Sequence, residues 1–361
     1  MSNDLIQEIR DLADLVAVSS REERVRWRLQ KIFAGTKYEI NIDNIGNFVL
    51  IHPDQKPSRK TVLLFAHMDE IGFIVRKIEK NGFIRYERLG GVNTQILPGT
   101  RVLFDGKKGL VEGVIGTQAH HFMPAENKFV VPPISEQYID IGADTDEEVI
   151  SNGIDVGTLA ALNSQATVIH DRYIRGKSMD NRAAVGVLEK LALELEDRSL
   201  QVNLIFAFPV MEEYNIRGLM PVYRKYKPDI SIGLDVTPAC DTPDLDYNDI
   251  ALGKGPAICC MNFHGGGTLA GVLPNSELFD YTEKVASDLG ISLQKEVSPG
   301  IITENAFGVF ENEEGIRILN LSLPTRYTHS PFETVAISDI KQLKVLLEKM
   351  IANGFGDIPF R

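Results

Sequence analysis

A histidine and two carboxylates follow directly on an apolar run near residue 65. The stretch "FAHMDEIG", residues 65–72, places His67 and Asp69 behind "TVLL". Imidazole nitrogens and carboxylate oxygens are ligands of zinc and related divalent ions. A lone histidine at a strand end, however, is more often a hydrogen-bonded loop residue. The stretch is therefore either a polar turn or one corner of a metal site.

Four further positions repeat this arrangement of a polar side chain at the end of an element. Glu212 and Glu213 follow "NLIFAFPVM", Asp235 lies near the end of "ISIGLDV", His329 follows "ILNLSLPTRYT", and Asp180 precedes a predicted helix in "GKSMDNR". Each has an ordinary explanation alone, as an N-cap, a solvated pair or a loop residue. Binding sites of open α/β sheets form outside the carboxyl ends of the strands. The joint pattern therefore predicts one common site.

Two histidines and several carboxylates at one sheet edge are typical of a dinuclear metal site. One carboxylate bridges the two ions, and each ion takes one further histidine and one further carboxylate. Paired ions roughly 3.5–4 Å apart generate a nucleophile from water and stabilise the oxyanion that develops. A further carboxylate must accept the proton of that water. We therefore predict a hydrolase with two divalent ions per chain, zinc, cobalt or manganese.

The remaining polar motifs are weaker candidates. His120-His121 lies in the region of short strands, and His264 is interpreted as structural. The motif "HGGGT", residues 264–268, is interpreted as a turn because it lacks the lysine of a phosphate-binding loop. Glu212 and Glu213 do not form a glycosidase pair, since adjacent side chains cannot flank one glycosidic bond from opposite faces.

The predicted elements that position these residues show two different patterns of secondary structure along the chain. Helical patterns alternate with apolar strands up to residue 72 and again from residue 165, which predicts a mixed, mostly parallel sheet with helices on both faces. Residues 73–164 instead form short alternating strands with hairpin signals at Asn81-Gly82 and Asp105-Gly106. We predict an α/β catalytic domain of residues 1–72 and 165–361, interrupted by a small β-rich domain of residues 73–164.

Two helix starts are predicted from capping signals. Ser20 and Glu23 have the spacing of a capping box before the second helix. Ser338 is the expected N-cap of the last helix.

Composition bounds the partners and the compartment. The 361 residues include 38 Lys and Arg against 50 Asp and Glu, a net charge of −12, which argues against nucleic acid or an anionic membrane as a partner. Three cysteines are too few for a disulfide framework and favour a reducing compartment. The start "MSNDLIQEIRDLADLV" is acidic and amphipathic rather than a signal sequence, and no apolar run has membrane-spanning length. We expect a cytoplasmic protein.

The motifs together resemble one known family. "AHMDEIGFIV", "GKSMDNRAAVGVL", "MEEYNIRGL", "IGLDVTPACDTPD" and "LPTRYTHSPFETV" occur in the order found in the dinuclear metallopeptidases that include glutamyl and tetrahedral (TET) aminopeptidases, some also labelled cellulase M. The resemblance covers nearly the whole chain. It implies a phosphorylase/hydrolase-like catalytic domain interrupted by a PDZ-like dimerisation domain. It also implies a homo-oligomer in which dimers assemble into a tetrahedral dodecamer.

The resemblance also implies a role for each polar residue of the site. The implied roles are His67 and Asp235 on one ion, Glu213 and His329 on the other, Asp180 as the bridge, Glu212 as general base, and Asp69 as the residue that orients His67. The implied activity is the hydrolysis of N-terminal residues from peptides by water that two metal ions activate.

Departures from the family pattern, among them the serine pair in "AVSSREERVR" in place of a more usual start that contains Gly, leave the substrate preference open. Met211 and Asn215 stand where the family usually has Gln and Gly, and "IITENAFG", residues 301–308, replaces a "GTDAG"-like segment near the substrate. An amide hydrolase or deacylase that acts on a non-peptide substrate needs the same site and is the alternative function. A non-catalytic assembly protein is the second alternative, although no implied ligand is lost.

Overall fold

The computed structural model describes residues 5–243, 245–264, 270–300, 305–309, 311, 313–356 and 358. The α-helices within these ranges are α1 (Leu5–Ala13), α2 (Glu23–Phe33), α3 (Asp146–Ser151), α4 (Met179–Leu195), α5 (Leu219–Tyr226), α6 (Ser276–Asp288), α7 (Asn305–Gly308) and α8 (Ile337–Ala352). None of these helices is both long and apolar enough to cross a membrane.

The strands make up two separate sheets. In chain order they are β1 (Glu39–Ile42), β2 (Phe48–Ile51), β3 (Thr61–Phe65), β4 (Gly72–Ile78), β5 (Ile84–Leu89), β6 (Arg101–Gly106), β7 (Gly109–Ile115), β8 (Ile139–Asp140), β9 (Leu159–Leu162), β10 (Thr167–Ile169), β11 (Tyr173–Gly176), β12 (Asn203–Phe208), β13 (Ile230–Pro238), β14 (Ala257–His264), β15 (Ala270–Val272), β16 (Gln294–Pro299), β17 (Arg317–Arg326) and β18 (Glu333–Ala336).

The larger sheet is mixed, and its centre is parallel. Its order is β1-β2-β12-β3-β13-β17-β18-β11-β10. Strand β14 also pairs with β17, and β15 and β16 pair with β14. The central strands β12, β3, β13 and β17 run parallel to one another. Antiparallel pairs flank them on both sides, β2 on β12 and β18 on β17. The predicted mixed α/β architecture is confirmed.

Both faces of the large sheet are covered by helices. Val62 and Leu64 of β3 pack into the core that α1, α2, α4, α6 and α8 share, whereas Leu63 and Phe65 pack with α5 and α7 on the opposite face. Successive side chains of a strand point to opposite faces, so a strand covered on both sides is apolar at every position. This burial explains why β3 and β12 are continuous apolar runs in the sequence.

The second sheet is a closed barrel in the order β4-β5-β8-β7-β6-β9. It has its own core, which includes Phe73, Tyr86 and Phe104. Gly82 has φ of 81° in the turn between β4 and β5, where the sequence predicts a hairpin. The next hairpin turns at residues 107–108, because Asp105 is still paired within β6.

Both predicted helix caps are wrong. No side chain caps α2, and Ser20 instead adopts a left-handed conformation with φ of 73°. The backbone N–H of Ser20 donates to Glu22, whose carboxylate also accepts from the distant Met211. Helix α8 begins at Ile337, one residue before the expected N-cap. In the first case a tertiary hydrogen bond replaces the local capping interaction.

One buried carboxylate of the large sheet makes stability depend on pH. Glu296 of β16 is 2% exposed and accepts a hydrogen bond from the Ser322 hydroxyl at 3.1 Å. Burial raises the pKa of Glu296 to about 7, against the lowering effect of Ser322. A carboxyl group whose pKa is raised by folding stabilises the fold below its unfolded pKa of 4.5, and this contribution is lost as the pH rises through about 7.

We expect Glu296→Gln to raise the thermal midpoint at pH 8 and to leave it unchanged at pH 4.5, because the amide stays neutral while keeping an acceptor oxygen. The gain in free energy of unfolding at pH 8 is at most about 3 kcal/mol. Thermal unfolding across this pH range measures it, with the exposed Glu39→Gln as control. A Glu296→Gln profile that runs parallel to that of the wild type would contradict the assignment.

Candidate metal centre

The parallel strands bring their polar residues to one edge of the sheet. His67 lies two residues after β3, Glu212 and Glu213 follow β12, Asp235 lies on β13, and His329 lies three residues after β17. These four strands are parallel neighbours, so their carboxyl ends meet at the same edge. The structure thus brings together the side chains that the sequence placed at separate strand ends.

Asp180 lies between the two histidines. It is the second residue of α4, and its φ and ψ of −76° and 102° depart from helical values. Its Oδ1 lies 3.1 Å from Nε2 of His67, and its Oδ2 lies 3.4 Å from Nε2 of His329. Each oxygen of one carboxylate therefore faces a different imidazole, which is the arrangement that a bridging ligand requires.

The candidate ligands form two groups that share Asp180. The first group is His67, Asp180 and Asp235, and the second is Asp180, Glu213 and His329; within each, one ligand atom per residue lies within 4.8 Å of the others. Nε2 of His67 is 3.8 Å from Asp235, and Nε2 of His329 is 3.4 Å from Glu213. Each group thus offers one imidazole, one carboxylate of its own and the shared carboxylate.

The donor set fits a pair of divalent cations. Oε1 of Glu213 is buried and has no hydrogen-bond partner. Within the described ranges, Asp180, Glu213 and Asp235 form ion pairs only with His67 and His329, and none with a lysine or arginine. Buried carboxylates without a cation are costly, whereas carboxylate and imidazole ligands suit zinc, cobalt and manganese.

The electrostatics of the cluster follow from the same crowding. The charge of Glu213, opposed by burial, is the main reason that the pKa of His329 lies far above its usual value. Burial would raise the pKa of Asp180, but hydrogen bonds from His329 and His67 hold it well below the usual range. Burial raises the pKa of Asp235 and of Glu213. These shifts arise from a concentration of carboxylates whose charge divalent cations would balance.

Asp69 organises two elements of the site at once. Its Oδ1 lies 3.4 Å from Nδ1 of His67, the contact predicted from the sequence, although this is longer than a well-formed hydrogen bond. Its two oxygens accept the backbone N–H groups of Glu212 and Glu213 at 3.0 Å each, and the Ser19 hydroxyl donates to it at 2.6 Å. Asp69 therefore fixes the backbone of the glutamate pair as well as facing the imidazole.

Glu22 is a residue of this neighbourhood that the sequence analysis missed. One oxygen of Glu22 accepts the N–H groups of Ser20 and Met211, at 2.7 and 3.1 Å. Burial and then the charge of Asp69 raise the pKa of Glu22 to about 7. No local pattern marks it, because its partner Met211 is distant in the chain.

Gly91, from the segment between β5 and β6, reaches the site as well. Its carbonyl oxygen lies 3.0 Å from Nδ1 of His329 and leaves Nε2 facing Asp180 and Glu213. A Cβ atom at Gly91 would lie 2.8 Å from that ring nitrogen, so only glycine fits the approach. The glycine pair "GG" at 90–91 is the sequence signal that could have found it.

A cleft of about 520 Å³ opens in front of the cluster. The residues that line it are Gly91, Asp180, Glu212, Glu213, Asn215, Ile216, Asp235, Val236, Pro238, His264, Gly300, Thr328 and His329. Its lining includes His264, which the sequence analysis interprets as structural. Residues 265–268 and 301–304 of the motifs discussed above lie outside the described residues. His120 and His121 are exposed in a short turn and do not line the cleft.

Comparison with known proteins agrees with this geometry. The sequence profile of the M42 glutamyl aminopeptidase family matches residues 46–346. "Putative aminopeptidase SgcX" of Escherichia coli (strain K12) is 37% identical, with 95% of this chain and 92% of that protein covered.

Solved structures of peptidases have the same fold. Aminopeptidase APDkam598 of the archaeon Desulfurococcus kamchatkensis superposes with a TM-score of 0.90 at 28% identity and covers 99% of this chain and 98% of its own. The TET1 peptidase of Pyrococcus horikoshii, described as able to assemble into a tetrahedron or a large octahedral shell, has a TM-score of 0.85 at 27% identity, with 96% and 99% covered. The chain belongs to the M42 glutamyl aminopeptidase family and is a peptidase of the hydrolase class.

Proposed function

We propose that the protein is a metal-dependent aminopeptidase that removes N-terminal residues from peptides at a dinuclear metal centre. The observation that carries the proposal is the position of Asp180, whose two oxygens each face one imidazole among further carboxylates. Membership of the M42 family supports the same activity.

In this proposal each of the two groups holds one ion. His67 and Asp235 hold the first, Glu213 and His329 hold the second, and Asp180 bridges them. Two bound ions would supply Lewis acidity and lower the pKa of the attacking water. The choice among zinc, cobalt and manganese stays a prediction from the ligand chemistry.

Glu212 is the proposed general base. Its side chain lines the cleft, and its Oε2 lies 3.8 Å from Nε2 of His67, on the side of the first group. The neighbouring Glu213 reaches the second group instead. Because Asp69 holds both backbone N–H groups, the two side chains keep different directions. Glu212 would accept the proton of the attacking water and return it to the leaving amine.

The barrel is the proposed dimerisation domain, with bounds at residues 73–164. The family resemblance implies that this domain is PDZ-like. Phe122, Phe129 and Val130, in the segment between β7 and β8, are 82%, 95% and 60% exposed. Exposed apolar side chains in one segment are typical of surfaces that an assembly buries. Together with the tetrahedral assembly described for the TET1 structure, they support a homo-oligomer of dimers that reaches a dodecamer. The cytoplasmic location stays a prediction from the sequence.

Removal of metal should abolish the activity reversibly. After chelation we expect no hydrolysis of aminoacyl anilides, and re-addition of zinc, cobalt or manganese should restore it with about two ions per chain. Metal content and rate are measured on the same sample. N-acyl amino acids serve as the control substrates: two bound ions with turnover only on these would favour the amide hydrolase, and no bound ion would overturn the metal centre.

Glu212→Gln should keep both ions and lose roughly 10²- to 10⁴-fold in kcat, because the amide cannot accept the proton of water. The matched variant is Glu213→Gln, which alters a proposed ligand and should lower the metal content. Metal analysis and steady-state kinetics on both variants separate the two roles. Near-wild-type turnover of Glu212→Gln would show that another group is the base.

The cleft should prefer neutral N-terminal residues over acidic ones. Its described lining contains no lysine or arginine. A substrate carboxylate buried there would lack a lysine or arginine partner, which is costly. We expect glutaminyl anilide to exceed glutamyl anilide in kcat/KM by at least about tenfold, since these substrates are nearly isosteric. Equal rates for the pair would contradict this prediction.

A further inference from the structure

Glu333, the first residue of β18, connects two proposed metal ligands through their backbones. It is 2% exposed. Its Oε2 accepts the N–H of Asp180 at 2.9 Å, and its Oε1 accepts the N–H of His329 at 2.7 Å. Asp180 lies at the irregular start of α4 and His329 lies in the loop after β17, so one carboxylate holds together two segments that are distant in the chain.

The large sheet fixes Glu333 relative to both segments. Glu333 pairs with Gly176 of β11, four residues before Asp180. Its neighbour Thr334 pairs with Arg326 of β17, three residues before His329. The strands that lead to Asp180 and His329, β11 and β17, are therefore the two strands that flank β18. The side chain of Glu333 joins the two segments by accepting a hydrogen bond from each.

The loop that carries His329 needs such support. His329 has φ of 61° and Tyr327 has φ of 60°, in the left-handed region that residues with side chains seldom adopt. Backbone of this kind persists where surrounding contacts over-determine it. The hydrogen bond from the His329 N–H to Glu333 and the contact of its ring with Gly91 are two such contacts.

We propose that Glu333 is a positioning residue that sets the spacing between the bridging carboxylate of Asp180 and the imidazole of His329, and thereby the affinity of the second metal position. The inference rests on the proposed dinuclear centre. Glu333 does not line the cleft and belongs to neither ligand group, so it acts through the two ligands and does not touch substrate or ion.

The test is Glu333→Gln. Its amide nitrogen must face one of the two N–H groups, so one hydrogen bond is lost while the shape of the side chain is kept. We expect the dissociation constant of at least one ion to rise by roughly 10- to 100-fold. Calorimetric titration of chelated protein with Zn²⁺ measures it without turnover, and the visible absorption of the Co²⁺ form reports the changed ligand geometry.

Asp339 provides a matched control. It is fully buried and accepts two backbone N–H groups, those of Gly253 and Gly255, at 2.7 and 3.1 Å, but it contacts no proposed ligand. Asp339→Asn should lower the thermal midpoint of the chelated protein while leaving metal affinity unchanged. An equal loss of affinity in both variants would reduce the effect of Glu333 to general destabilisation and overturn the proposal.

The remaining outcomes separate this inference from the proposed function. Two ions in the wild type, with Glu333→Gln within about threefold of its affinity, would refute the positioning role and leave the aminopeptidase standing. A wild type that binds no ion would refute both. If Glu333→Gln does not fold, Glu333→Asp, whose shorter side chain reaches only one N–H, should show weakened binding, and unchanged binding would refute the role.

Discussion

The carboxylate of Asp180 is largely buried and lies between two imidazoles, and the rest of the site depends on this contact. Three further carboxylates, Glu212, Glu213 and Asp235, crowd around it, and within the described residues Asp180, Glu213 and Asp235 form ion pairs only with His67 and His329. Desolvation opposes such a concentration of negative charge. Divalent cations that balance the charge of all the carboxylates would make the arrangement favourable. The M42 family is a family of metallopeptidases, which implies divalent metal ions.

Hydrogen bonds from backbone N–H groups hold the proposed ligands around that cluster. Asp69 accepts those of Glu212 and Glu213, and Glu333 accepts those of Asp180 and His329. A carboxylate that accepts two backbone hydrogen bonds fixes the direction of two side chains without touching an ion. The irregular loops after β12 and β17 thereby gain the precision that a regular element would otherwise give them.

The two sheets contribute different things to the centre. The large sheet supplies the proposed ligands, because its parallel core ends at one edge. The segment after β5, by contrast, supplies no charged group but presents the carbonyl of Gly91 to His329. A Cβ atom at Gly91 would collide with the imidazole ring of His329. The segment between β5 and β6 can therefore come this close to the ring only because residue 91 is glycine.

Local sequence sufficed where the physical cause was local or periodic. Apolar runs predicted the strands, the strand ends predicted where His67, Asp235 and His329 meet, and the change of pattern near residue 72 predicted the strands of the barrel. Contacts between distant segments could not be predicted from local sequence. The predicted capping box at Ser20 is replaced by a hydrogen bond to Glu22, whose carboxylate also accepts from the distant Met211. Glu333 has no local sequence signal, because its two partners lie in different segments of the chain. The sequence by itself determined which residue types reach the sheet edge. Only the tertiary structure decided how they are spaced and held, because hydrogen bonds and burial between remote segments exist only once the chain has folded.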